Sequence, residues 1–303
     1  MQLAPLIHVL LGLVFAPLLF GIINRTKALF AGRRGQPLLQ LYYDVWKLLR
    51  KGAVYSRTTT WVFRAGPIVG LAAVLASMAL VPFGKMPALV AFPGDLILFA
   101  YLLGLMRFFT VIAALDTGSS FEGIGASREV QFSALAEPAL LLALVAVARQ
   151  TGSISLSGML EKISVDVWQT AGLSLALAAA ALLAVLLCEN ARIPVDDPNT
   201  HLELTMIHEV MVLDHSGPDL AFILCGAALK LWVLGALLIG IVVPIQSGNA
   251  WLNVAVSIGG MLALGAVIGI VESTMARLRL VRVPQLLVGA GVLAALALIL
   301  ILR

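Results

Sequence analysis

A chain of 303 residues in which 61% of side chains are hydrophobic and only 12% charged, with a mean hydropathy of +1.03, cannot hide its apolar surface inside a water-soluble globule. That composition excludes soluble enzymes and nucleic-acid-binding domains and defines an integral membrane protein. The net charge of +4 comes from 20 Lys/Arg against 16 Asp/Glu, and their placement says more than their sum.

The chain opens on MQLAPLIHVLLGLVFAPLLFGII. This stretch has no basic leader and is too long for a cleaved signal, so it is expected to stay as the first span. Eight segments, near 3–23, 61–82, 96–115, 131–149, 168–188, 219–244, 251–271 and 285–302, have the roughly 17–25 residues a helix needs to cross a bilayer. Each is a continuous apolar run, so the spans are helices rather than strands. The expected fold is all-α: one membrane domain over residues 1–303, a bundle of about eight transmembrane helices.

The loops alternate in charge. Loop 24–60 carries Arg25, Lys27, Arg33, Arg34, Lys47, Arg50, Lys51 and Arg57, and Arg128, Arg192, Arg277, Arg279 and Arg282 fall on the same side. The opposite side has Lys85, Arg149, Lys162 and Arg303. The positive-inside rule then turns the odd-numbered loops to the cytoplasm and both termini to the periplasm. Residues 37–51, PLLQLYYDVWKLLRK, read as an amphipathic helix on the membrane surface. Thr200 followed by Glu203 forms a capping box for a short helix holding LELTMIHEVMVL. Cys188 and Cys225 lie in apolar runs without metal-binding spacing and read as free thiols packed like small hydrophobes.

Arg64, Arg107, Glu137 and Lys230 fall within predicted spans, and Glu189 sits at the lip of another. A central charge costs roughly 2.5–3.5 kcal/mol on insertion scales, so such groups face the bundle interior, a partner or water. Arg64 is near enough to a helix end to snorkel. Glu137, Glu189 and Lys230, together with Arg107, are candidates for a hydrated path or charge relay. A purely structural buried pair is the rival reading.

The densest feature is Glu189-Asn190-Ala191-Arg192-Ile193-Pro194-Val195-Asp196-Asp197-Pro198, one base and three acids at the end of an apolar run. Pro194 and Pro198 make it irregular, and irregular backbone is not tolerated facing lipid, so a partner protein is expected to cover it. His201, His208 and His215 recur every seven residues. Metal ligation is the less favoured reading of them, because intrahelical ligands sit closer together and Gly217-Pro218 ends the segment. Gly66-x-x-x-Gly70 and Gly265-x-x-x-Gly269 permit close helix packing, a weak signal among 27 glycines. No phosphate-binding loop and no nucleophile-plus-base arrangement is visible, so no catalytic centre of its own is expected.

Several motifs together resemble the membrane subunit 1 family of complex I. Glu189-x-x-Arg192-x-Pro194-x-Asp196-x-Pro198, followed by Glu203-Leu204, is similar to its E-x-x-R-x-P-F-D-L-P…E-L signature. Arg33-Arg34-Gly35-Gln36-Pro37 with Asp44 and Lys47-Leu48 resembles a second segment, and Arg128 with Glu137 a third. Glu272 to Arg282 is similar to the basic stretch before the last helix. The departures choose a branch. Asn199 and His201 stand where complex I members carry acids, and Leu41 and Tyr43 where they carry Pro and Ala. SSFEGIGASRE and PVDDPNTHLELTMIHEVMVLDHSGPDLA look like the membrane-bound NiFe hydrogenase branch, the formate hydrogenlyase type above all.

The resemblance implies a subunit of the bacterial inner membrane that docks a cytoplasmic arm. The partners it implies are the NiFe-hydrogenase large and small subunits, an iron–sulfur protein, an antiporter-like membrane subunit and a formate dehydrogenase. The NiFe centre and iron–sulfur clusters would belong to those partners, with no cofactor in this chain. It adds Asp44 and Glu203 to the ion-coupling candidates Glu137, Glu189, Lys230 and Arg107. It implies a docking face of Arg33, Arg34, Glu129, Arg192, Asp196, Asp197, His201, His208 and Glu209. The alternatives are an anchor without ion movement and a quinone-linked complex I subunit. A stand-alone transporter would show paired interrupted helices in two halves, and none stand out.

Overall fold

The computed structural model describes residues 4–196 and 206–303. Its elements are α1 (Ala4–Phe30), α2 (Gln40–Leu49), α3 (Trp61–Leu80), α4 (Asp95–Asp116), α5 (Ser120–Thr151), α6 (Leu156–Lys162), α7 (Val165–Glu189), α8 (Gly217–Val242), α9 (Ala250–Thr274) and α10 (Val283–Leu302). Eight of these, all but α2 and α6, are long and apolar enough to cross a membrane. The expected all-α bundle is therefore present.

Two helix ends differ from the sequence reading. α1 runs on to Phe30 instead of stopping at 23, and α5 starts at Ser120 instead of 131. In both, polar residues continue the helix beyond its apolar run, so Arg128 and Glu129 lie on a helix and not in a loop. α2 occupies 40–49, shorter than the predicted 37–51, with Tyr43 and Trp46 exposed and Arg50 stacked on the Trp46 ring at 4.4 Å. It packs against α1 and α8. Thr200 and Glu203, with their capping box, lie outside the described residues. In the described part of that segment a single 3-10 turn covers Glu209–Val212.

α8 is the central element, in contact with α1, α3, α7 and α9. Its Trp232 is fully buried, 5.2 Å from the Phe83 ring, and its indole N–H donates to His8 Nε2 at 3.3 Å. α10 closes the far flank against α5 and α7. Helix ends are tied across the bundle. Asp116 at the end of α4 accepts from the Thr60 and Phe63 amides at the start of α3, where the helix dipole favours an anion. At the other end, Asp95 accepts from the Leu156 amide and the Ser155 hydroxyl, fixing the start of α6. Lys85 caps the end of α6 by donating to the carbonyls of Leu160 and Ile163.

One glycine of each pair marks a close approach. A Cβ at Gly66 would lie 2.8 Å from Ala113 Cβ on α4, and one at Gly269 2.6 Å from Thr26 Cβ and 3.0 Å from the Ile23 carbonyl on α1. Gly269→Val will therefore wedge α1 from α9, with an overpacking cost of roughly 1–3 kcal/mol. Its thermal midpoint in detergent should fall by several degrees, whereas a substitution at Gly259, which meets nothing within 4 Å, should leave it unchanged.

Candidate functional site

The segment after α7 turns inward. Ala191 takes a left-handed backbone (φ 51) that reverses the chain, and Arg192, Ile193, Val195 and Asp196 are all buried. The Pro194 carbonyl accepts from the Leu278 amide of the α9–α10 connector at 2.9 Å. Over the described residues the chain's own helices bury this segment and shield its irregular backbone from lipid.

This inward turn completes a chain of ion pairs. Arg107 on α4 is its centre. One guanidinium nitrogen donates to Glu189 Oε1 at 2.6 Å, a second to Glu137, and Nε lies 3.5 Å from Glu129 Oε1. Glu129 and Glu137 stand about two turns apart on α5, so both reach toward the same cation. Glu189 also meets Lys230 Nζ, from the middle of α8, at 2.9 Å. Glu189 was expected at the lip of its span. It lies inside the bundle, 5% exposed, enclosed between Lys230 of α8 and Arg107 of α4.

On one side of this group His208 Nε2 approaches Glu129 Oε2 to 3.2 Å and Nδ1 lies 3.8 Å from Asp196 Oδ2. Asp196 in turn pairs with Arg277 at 2.8 Å. On the other side Arg192 stacks on the Phe20 ring at 4.3 Å and reaches Glu272 at 3.4 Å. Glu272 meets Lys27 at 2.9 Å. Between them runs a cavity of about 400 Å³, with apolar wall from Phe20, Met106, Ile223 and Leu224 and polar wall that includes Arg107, Glu189, Arg192, His208 and Lys230. Mixed walls of this kind fit an amphipathic molecule or ordered water, and the convergent charges make it the default candidate site.

The sequence candidates separate accordingly. Arg107, Glu137, Glu189 and Lys230 are brought together. Asp44 is half-buried on α2, bonded to Gln40, and does not line the cavity. Glu129, Arg192 and Asp196, expected on a docking face, are buried within the chain, because α5 starts early and the loop folds inward. Arg33 and Arg34 are exposed, while His208 and Glu209 are half-buried. Asp197, His201 and Glu203 lie outside the described residues. Arg64 sits at the exposed start of α3 and stacks on Tyr55 at 4.2 Å. Of these histidines, the two described go to separate surroundings: His215 stacks on Phe63 at 3.9 Å, away from His208. Sequence reasoning missed Glu272 as a bridge between Lys27 and Arg192. Its signal was a single acid at the very end of a span.

Burial opposes the charge on Asp196, yet His208 and Arg277 hold its carboxyl below the usual range. Burial likewise opposes the His208 imidazolium, but Glu129 and Asp196 outweigh it and hold the pKa above its ordinary value. A raised folded-state pKa means that the tie is fully present below about pH 6.5 and is lost as pH climbs through the folded value. Amide hydrogen exchange over 206–213, corrected for intrinsic rates, should accordingly quicken as pH rises above neutral. His208→Gln should remove that dependence.

The family model described as NADH dehydrogenase matches residues 3–303. Formate hydrogenlyase subunit 4 of Escherichia coli (strain K12) is 34% identical over 93% of this chain and 92% of its own length. Hydrogenase-4 component C of the same organism is 31% identical over 94% and 91%. An NADH-quinone oxidoreductase subunit of Anaplasma phagocytophilum (strain HZ) is 24% identical over 79% and 75%. Among solved structures, a chain of the archaeal membrane-bound sulfane sulfur reductase shares the fold, with a TM-score of 0.83 at 23% identity over 99% of this chain and 98% of that one.

Proposed function

This chain belongs to the NADH dehydrogenase family, and from that premise we propose that it is the membrane anchor and ion-coupling subunit of a formate hydrogenlyase-type, membrane-bound NiFe hydrogenase. Likeness to two hydrogenase membrane subunits over nearly the whole length supports the assembly. One observation carries the coupling role: Arg107, Lys230 and three carboxylates meet inside the spanning bundle beside a cavity of about 400 Å³. Charges at that depth are costly and are characteristic of ion pathways and relays.

The arm of NiFe large subunit, small subunit, iron–sulfur protein and formate dehydrogenase would rest on the end bearing Arg33, Arg34 and α2, which faces the cytoplasm of a bacterial inner membrane under the positive-inside rule. Glu137 has a side chain 47% exposed near the middle of α5. A carboxylate there is poorly suited to lipid, and the antiporter-like membrane subunit would cover it. A second reading, a structural anchor without ion movement, draws on the same ion pairs, since buried pairs can serve helix packing alone.

Affinity purification in mild detergent, with mass spectrometry and a formate-dependent hydrogen assay, tests the assembly. A nickel large subunit, iron–sulfur proteins and evolved hydrogen are expected. NADH-oxidising, quinone-reducing partners, or a well-folded chain that purifies alone, would overturn it.

A further inference from the structure

We propose that His208 is the proton-exchange group through which the carboxylates around Arg107 trade protons with the loop face of the protein. The inference rests on the coupling role proposed above and extends it to a residue outside the spans. The two imidazole nitrogens face different acids, Nε2 toward Glu129 and Nδ1 toward Asp196. The His208 side chain is 27% exposed, while those of Glu129 and Asp196 are 8% and 3%. Both ring nitrogens are buried between these two acids while the rest of the side chain reaches the surface, so the imidazole bridges an inner carboxylate and the loop carboxylate, and it lines the same cavity as Glu189 and Lys230.

Charge supports the assignment. Arg107 and Lys230 face Glu129, Glu137 and Glu189, one carboxylate more than the cations of that group. Glu129 has the longest contact with Arg107, 3.5 Å, and is the acid His208 approaches. Among the described residues, the charged groups around His208 are Glu129 on α5, Lys230 on α8, Asp196 on the buried loop, Arg277 behind Asp196, and Glu209 beside it in sequence. Their balance favours the imidazolium, and histidine exchanges protons near neutral pH. In the step itself, His208 Nε2–H passes its proton to the Glu129 carboxylate. A carboxylic acid and a neutral imidazole that keeps its Nδ1–H result, and the vacated Nε2 regains a proton when the ring turns toward the loop side. Only N–H and O–H bonds change, so no oxidant or reductant is consumed.

The test uses the purified complex in proteoliposomes, with formate-driven hydrogen evolution and a pH-sensitive dye reporting proton movement. His208→Gln should lower coupled proton movement roughly tenfold or more, and added imidazole should restore part of it. Glu129→Gln should show the same loss without rescue, because the acceptor is gone. Native-rate proton movement in His208→Gln, or an assembled variant that imidazole cannot rescue, would overturn the role of His208 alone. An absence of proton movement in the native complex would overturn the coupling reading and His208 with it. Failure of both variants to assemble would overturn it in favour of a structural latch.

Discussion

Replacing Arg107 with methionine will destabilise this protein by on the order of 3–5 kcal/mol, the cost of breaking a buried ion pair by removing one partner. Methionine keeps the apolar stem and removes the cation. Glu189 then loses its 2.6 Å bond and keeps only Lys230, while Glu129 and Glu137 lose their shared partner. The deficit falls on three helices at once, since α5 and α7 are held to α4 through this guanidinium. The thermal midpoint in detergent should drop by roughly 10 °C. Arg107→Lys should fall between the two, because one ammonium lacks the fork that lets guanidinium meet several carboxylates. A methionine variant melting within a degree or two of the native chain would mean that water already screens the group.

The spans were legible because bilayer thickness fixes the length of an apolar run, and all eight appear where the runs are. Their ends were less legible at α1 and α5, since a helix continued by polar residues leaves no trace in hydropathy. The charges around 189–198 stood out as a motif, but their burial did not. It depends on Pro194 meeting Leu278 and on Arg107 meeting Glu189, residues 82 positions apart. Local spacing carries no record of such contacts. The same limit explains Glu129 and His208: each reads alone as a polar residue near a loop, and only the fold puts them 3.2 Å apart. Glu272 was missed because its partners, Lys27 and Arg192, come from the first helix and the buried loop.

The Lys230–Glu189 pair separates the two readings of the cluster. Lys230→Met leaves Glu189 with Arg107 alone, and Glu189→Gln leaves Lys230, mid-helix and 8% exposed, without its carboxylate. Each single change should lower stability by about 3–5 kcal/mol, because an uncompensated buried charge remains. The double variant removes one charge of each sign, and apolar or neutral replacements of a buried pair are often tolerated, so most of that loss should return. Proton movement should not return with it. If Glu189 and Lys230 take part in a relay, a neutral amide and a thioether cannot hold or release a proton however well they pack. Measured in proteoliposomes, the relay therefore predicts a stable, hydrogen-evolving, uncoupled complex. A double variant that recovers both stability and coupled proton movement would assign the pair to packing and move the path to the Glu129–Glu137 side of Arg107.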